Sequence, residues 1–443
     1  MTEMYQRAID YGLKRGADQI ELFVLEGCTD AVQLEKNAIC ASESKTVTGI
    51  GIRAYSKKGL GIATTTLLRE GAIKESIGRA VALSKNSPPD ELFKSLPGPF
   101  EKYPEVKGTC DADVCDLPNE TIPEMAIQAI DGALEKQDVI VSGNFKRSFF
   151  TESIYNSLGL EVEQKFSSLS GVIFAKAERN GDIATSWDYQ KVRNKSEFDP
   201  LRIGRVAAKN AVGLLGSKKT QSEELPVILD ERSTLDTLTS IISGGLNAYK
   251  VILGTAFFKD RLGDQITSEE LTIVDNPLYD FGVGSASFDD EGVPHQELTL
   301  IDQGVAKAFF SNSYCSHILK VENTAHASKG GLGSKPHPGV TQVQISPGSW
   351  SKEELIAETK RGLLLKDSSL EPSSNSPNVS VLVDQGFLIE NGEIVHPVKE
   401  TMVGTNIFKL LKNIDAISQE VLNESGSISP MIRISQAKIA GGK

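Results

Sequence analysis

The chain has 443 residues, room for two to four domains, and its 39% apolar and 24% charged residues are the composition of a folded globular protein. Lys and Arg total 47 against 59 Asp and Glu, a formal charge of −12, which disfavours a chain-wide footprint on nucleic acid or anionic lipid. Five cysteines (Cys28, Cys40, Cys110, Cys115, Cys315) form no C-x-x-C pair and read as reduced thiols of a cytoplasm. The first residues, MTEMYQRAIDYGLKRGAD, contain acids and no signal-peptide apolar core, and no apolar run reaches the length of a membrane helix. The expectation is a soluble cytoplasmic protein that binds neither nucleic acid nor membrane.

In chain order, Tyr5, Ala8, Ile9 and Leu13 fall near a 3.6-residue period and predict a helix that stops at Gly16. GADQIELFVLEG begins a strand. TVTGIGIRAYSKKGLGIATTT alternates apolar with small or polar residues around a Ser-Lys-Lys-Gly turn, as a hairpin requires. LREGAIKESIGRAVALSKN returns to helical periodicity, and five prolines between 86 and 108 then exclude regular structure. A helix follows at IPEMAIQAIDGALEKQ, with Thr121 as its cap, and then strands broken by Asn-Ser-Leu-Gly and Arg-Asn-Gly-Asp turns. PLRIGRVAAKNAVGLLG is helical, and the polar GSKKTQSEE after it is the best place for a domain boundary.

The second half opens with the strand LPVILD and a helix through Leu235, Leu238, Ile241 and Ile242. Short strands follow, with Asp-Gln-Gly at 302–304 and 384–386 as hairpin turns, and a final helix carries Ile407, Leu410, Leu411, Ile414 and Ile417. Together these predict an α+β fold with mixed, largely antiparallel sheets and amphipathic helices, in two domains, 1–220 and 221–443.

Several motifs fail on their mechanics. Gly49-Ile50-Gly51-Ile52-Arg53-Ala54 matches a dinucleotide fingerprint, but a turn and a strand follow where a helix must hold the pyrophosphate, so packed hairpin glycines explain it better. Gly216-Ser217-Lys218-Lys219-Thr220 lacks the glycine spacing of a phosphate loop, and no G-x-S-x-G occurs. The histidines, His295, His317, His326, His337 and His396, are never one helical turn apart and never precede a Glu, so no helical zinc pair exists. Cys315, His317 and His326 form a looser candidate metal set, with surface histidines as the plainer reading; a Cys315–His317 dyad cannot meet on a strand. Asp289, Asp290, Gly292 and His295 read as a Gly-closed hairpin turn, with a peptide-contacting lip as the functional alternative.

The order of several segments carries a resemblance. GADQIELFV, GIGIRAYSKKGLGIATT, YNSLGLEVE, RLGDQITSEELTIVDNP, FDDEGVPHQELTLIDQGVAKAFFSNSY and GFLIENGEIVHPVKETMVGTNIFKLLKNI together span nearly the whole chain. In this order they resemble the TldD/PmbA family, once labelled a modulator of DNA gyrase. The resemblance implies that TldD-type members are zinc metallopeptidases with H-E-x-x-x-H on a helix before the segment matching RLGDQIT and a cysteine ligand near the C-terminus. It implies that TldE/PmbA-type members lack those ligands and pair with TldD-type subunits. Here the corresponding stretch, 235–247 (LDTLTSIISGGLN), has no His, Glu or Cys, and no cysteine follows Cys315.

The chain therefore resembles the TldE/PmbA side. The expectation is a non-catalytic subunit that binds no metal itself and dimerises with itself or with a TldD-like partner carrying the zinc. It would help enclose an unfolded or peptide substrate by strand addition. The alternatives are an independently active (metallo)peptidase with an unrecognised site, and a protein-binding modulator of DNA gyrase.

Overall fold

In the computed structural model, which describes residues 2–373 and 376–442, the chain builds an α+β fold on two large sheets. The first half begins with helix α1 (Thr2–Lys14), strands β1 (Gln19–Glu35), β2 (Ala38–Ser56) and β3 (Gly59–Thr65), and helix α2 (Glu70–Asn86). The proline-bearing crossing contains one short helix, α3 (Ala112–Cys115). Helix α4 (Thr121–Leu134), strands β4 (Val139–Asn156), β5 (Glu161–Arg179) and β6 (Asp182–Val192), and helix α5 (Pro200–Gly213) complete it. The strands form one sheet in the order β3-β2-β1-β4-β5-β6, antiparallel throughout.

The pleat sorts this sheet into two faces. Ile20, Leu22 and Val24 of β1 and Ile50 and Ile52 of β2 pack under α1 and α2, with Ile9, Ile73 and Ile77 above them. Val32, Leu34, Val141, Phe145 and Ile173 pack under α4 and α5 in the same way. Helices α1, α2, α4 and α5 all cover one face. The intervening residues, Glu21, Phe23, Arg53, Phe150 and Glu152 among them, lie on the other face and meet the second half of the chain.

The second half contributes a mixed sheet of thirteen strands among the described residues. Its central strand, Ser427–Gly441, pairs antiparallel with β8 (Glu223–Leu229), which follows the two-residue β7 (Lys218–Lys219). Helix α6 (Glu231–Gly245) packs Leu238, Ile241 and Ile242 into the core beneath. Asp230 caps it, accepting from the Ser233 amide.

Three local expectations change. Ile414 and Ile417 belong to strand Ile414–Glu424, opposite Ile434 and Ile432, and the last helix is only Ile407–Lys412. Both isoleucines are buried either way, so their spacing could not separate a helix from a strand. Asp384-Gln385-Gly386 does not join neighbouring strands: Asn378–Leu382 pairs with Thr401–Asn406, while Gly386–Glu390 pairs with Arg361–Leu365 and Glu393–Lys399. That last hairpin is closed by Asn391-Gly392, both at positive φ. Thr121 is the first helical residue of α4, with Glu120 at the cap.

Candidate functional site

The outer face of the first sheet meets the loops 281–297 and 320–341 of the second half, and buried charge lies along that junction. Glu21 on β1 accepts from Arg53 Nε and Nη2 on β2 at 2.9 and 2.6 Å and from Lys329 Nζ at 2.9 Å. Glu291 stands 3.6 Å from Arg53 and also accepts from the Ser313 amide. Lys329 lies over the Phe23 ring at 4.1 Å. Burial pushes the Glu21 carboxyl up, but Arg53 and Lys329 outweigh it and hold the pKa at about 2.

The same loops carry the predicted lip, and it is not at the surface. Asp289 is 2% exposed; its Oδ1 accepts from the Glu291 and Val293 amides and its Oδ2 from Ala327. Gly292, at φ 79°, turns the chain between them. Asp290 is half-buried and accepts from the Lys329 amide. These acids clamp segment 327–329 because a tight turn exposes main-chain amides that a carboxylate can satisfy. His295 is buried, and its Nδ1 has no hydrogen-bond partner. Burial, then His326, pushes its pKa down to about 4.

Two cavities flank the junction. One, of about 570 Å³, lies between the β4–β6 face and the loops, and Asp289, Asp290 and His295 line it. The other, of about 540 Å³, lies beside Arg53, Tyr55 and Glu291 and is lined by Cys315, His317 and His337 as well. Gly51 explains how the loops come so close: a Cβ there would stand 2.1 Å from the Leu332 carbonyl oxygen. The Gly49–Gly51 pair is thus a packing device, as the hairpin reading holds.

The candidate metal set is not brought together. Cys315 and His317 lie on the helix Ser313–Leu319 rather than a strand; Cys315 is in the core and His317 is exposed. Burial, with Glu291, pushes the Cys315 thiol up to about 12, far from a thiolate. His326 is buried elsewhere, its Nδ1 2.6 Å from the Thr324 carbonyl oxygen and its Nε2 2.8 Å from Asp275 Oδ2. Both ring nitrogens lie within hydrogen-bond distance of protein oxygens, so neither faces open space where a metal could sit. Asp275 also accepts from Thr341 and from the Gln342 amide, so the pair fixes strand Val343–Ile345 and the loop before it.

Helix α6 fits zinc no better. Ser233 and Thr237 spend their hydroxyls accepting from the Ser368 and Leu370 amides. Gly244 and Gly245 are pressed against Phe257 and Phe258, where a Cβ would come within 2.4 and 2.2 Å of the rings. Asp236 is the single carboxylate of 235–247, pushed up to about 6 by burial and Glu424. Among the described residues no three His, Cys, Asp or Glu side chains are placed to hold a metal together. Nor is any helix there long and apolar enough to cross a membrane.

Residues 20–84, 113–215 and 222–441 match, in order, domain 1, the central domain and the C-terminal domain of the PmbA/TldA metallopeptidases. The chain belongs to the PmbA/TldD family. The relatives of this PmbA/TldD member include a Haemophilus influenzae protein named metalloprotease PmbA homolog, 26% identical over 98% of this chain and 94% of that one. The crystal structure of TldE from Thermococcus kodakarensis superposes with a TM-score of 0.90 at 23% identity, over 99% of this chain and all of that one. A Thermotoga maritima structure described as a candidate modulator of a DNA gyrase gives 0.87 at 25% identity, over 99% and 100% of the two chains.

Sequence reasoning missed Glu21, Arg53, Lys329, Asp275 and Glu152. Glu21 and Lys329 are 308 residues apart, and no local spacing signals such a pairing. The one available hint was a charged residue at an alternate position inside an otherwise apolar strand.

Proposed function

We propose that this chain is a zinc-free, TldE/PmbA-like subunit of a two-component metallopeptidase of its family, acting in the cytoplasm. In this reading it assembles with a zinc-bearing TldD-like subunit, or with itself, and helps bind and enclose unfolded or peptide substrates. The observation that carries the reading is helix α6: where the resemblance places ligands on active members, this chain has glycines packed against two phenyl rings and no imidazole. Without such ligands nothing lowers the pKa of a metal-bound water or polarises a peptide carbonyl. The independent peptidase is the weaker reading, because the Cys315 thiol is buried and far from ionised and both His326 nitrogens are occupied.

The test is to purify the chain alone, a TldD-like subunit alone, and the two mixed, and to measure zinc, assembly and peptidase activity in each. The chain alone is expected to hold no stoichiometric zinc and to cleave nothing, and the mixture to assemble and cleave peptides. Stoichiometric zinc with activity in the isolated chain, lost on His326→Ala, refutes the reading. The name of the Thermotoga relative supplies a second reading, direct contact with DNA gyrase. Recovery of gyrase by pull-down with this chain is its test, and a pull-down without it disposes of it.

A further inference from the structure

The floor of the 570 Å³ cavity is graded in charge. Along β4, every second residue from Lys146 to Glu152 lines it, as the pleat of a strand requires. The first rung holds Lys146 opposite Ser170, with Lys191 of β6 on the far side of Ser170. Arg193 lines the cavity too and lies over the Phe166 ring at 4.9 Å. The last rung holds Glu152 opposite Gln164, and Phe150 faces Phe166 between the two ends. Six residues of strand at about 3.4 Å each separate the ends by about 20 Å.

Neither end has an ion-pair partner within the protein among the described residues. Among the described residues the Arg193 guanidinium donates only to the main-chain carbonyls of Ser167, Gly282, Val283 and Ser285. No carboxylate stands within ion-pair distance of Lys146, Lys191 or Arg193 among the described residues. At the other end Glu152 accepts from the Gln164 amide, its one hydrogen-bond donor among the described residues, and Asp290 and Asp289 line the same cavity from the loops. Lys329 is the nearby cation, and its Nζ is bound to Glu21. Two lining residues, Gln164 and His295, each keep a buried polar atom without a partner, and His295 is only 7% exposed.

We infer that this cavity is a binding site for a short extended peptide with free ends, about four to six residues long, its carboxylate at Lys146 and Lys191 and its amine at Glu152 and Asp290. The Phe150 ring at mid-floor, beside the Arg193-covered ring of Phe166, receives an apolar side chain, and a span of about 20 Å suits a chain that itself advances about 3.3–3.6 Å per residue. The lysines at one end and the carboxyl groups at the other read both termini, which selects peptides over longer polypeptide. Burial, then Asp290, pushes the Glu152 carboxyl up to about 8, so a bound ammonium ion at that end displaces a proton. Binding is then accompanied by proton release at neutral pH. The site rests on the reading of this chain as a peptide-handling subunit and adds to it a length, a polarity and a place.

The test is calorimetric titration of the isolated full chain with a synthetic Ala-Ala-Phe-Ala-Ala pentapeptide, alongside its N-acetylated and C-amidated forms and inorganic phosphate. The free peptide is expected to bind, with either blocked form at least 10-fold weaker. The Lys146→Gln/Lys191→Gln pair should weaken the free peptide at least 10-fold and leave the amidated form unchanged. Glu152→Gln should abolish the buffer-dependent proton release. Ser168→Trp, which fills the cavity away from both ends, should prevent binding even if the lysine variants fold poorly. No binding of the free peptide at millimolar concentration overturns the site, as does equal binding of all three peptides or phosphate binding as tightly as the peptide. Failure of the chain to assemble with a zinc subunit, with peptide binding intact, would count against the subunit reading and leave the site standing.

Discussion

Glu21→Gln is the most informative perturbation of the junction, because it removes one charge and almost no volume. The native carboxylate is 1% exposed and sits between Arg53 and Lys329. Among the described residues the substitution leaves the two buried cations with one carboxylate at ion-pair distance, Glu291 at 3.6 Å from Arg53. Removing one partner of a buried ion pair costs about 3–5 kcal/mol. The pKa of Glu21 supports that size: a fall from 4.5 to about 2 corresponds to about 3 kcal/mol of preference for the ionised form in the fold.

With an unfolding entropy of about 2.1 cal/mol/K per residue over the whole chain, that loss lowers Tm by about 3–6 °C. Scanning calorimetry of the parent, Glu21→Gln and Glu21→Gln/Lys329→Met at pH 7 reads it, and the double variant should recover part of the loss by removing one stranded cation. The folded pKa lies below the unfolded one, so the contribution of Glu21 is complete above about pH 4.5 and is lost as pH falls towards 2. The gap between parent and Glu21→Gln should therefore close over that window. A Glu21→Gln protein melting within 1 °C of the parent at pH 7, or a double variant less stable than the single one, refutes the reasoning.

Two further outcomes are expected. His295 has a folded pKa of about 4 against 6.5 unfolded, so it adds a loss of stability as pH falls from 6.5 to 4; His295→Gln should flatten the dependence of Tm on pH in that interval. Gly51→Val places a Cβ 2.1 Å from the Leu332 oxygen, so it should cost about 1–3 kcal/mol and speed tryptic cleavage at Lys329 and Lys335; unchanged cleavage rates would show that the loop does not depend on this contact.

The first half was largely legible because its signals are local. Apolar residues at helical spacing set α1, α2, α4 and α5, and Ser-Lys-Lys-Gly and Arg-Asn-Gly-Asp sit where strands turn back. Legibility failed where two periods buried the same residues, as at Ile414 and Ile417, and where a turn motif served a connection between distant strands, as at 384–386. The segment 289–295 turns at Gly292, which stands at positive φ. Its burial was not visible, because it depends on amides at Ala327 and Lys329 that only the fold supplies.

By itself the sequence determined most of the helices and strands of the first half, the family, and the lack of His, Glu and Cys in 235–247, since each depends on residue type and near-neighbour order. Only the tertiary structure decided that Glu21, Arg53 and Lys329 share one buried site, that His326 is spent on Asp275, and that Lys146 and Glu152 stand at opposite ends of one cavity. Electrostatic interactions and hydrogen bonds act through space over a few ångströms, and the chain order of a sheet's strands carries no record of which loops will fold across its open face.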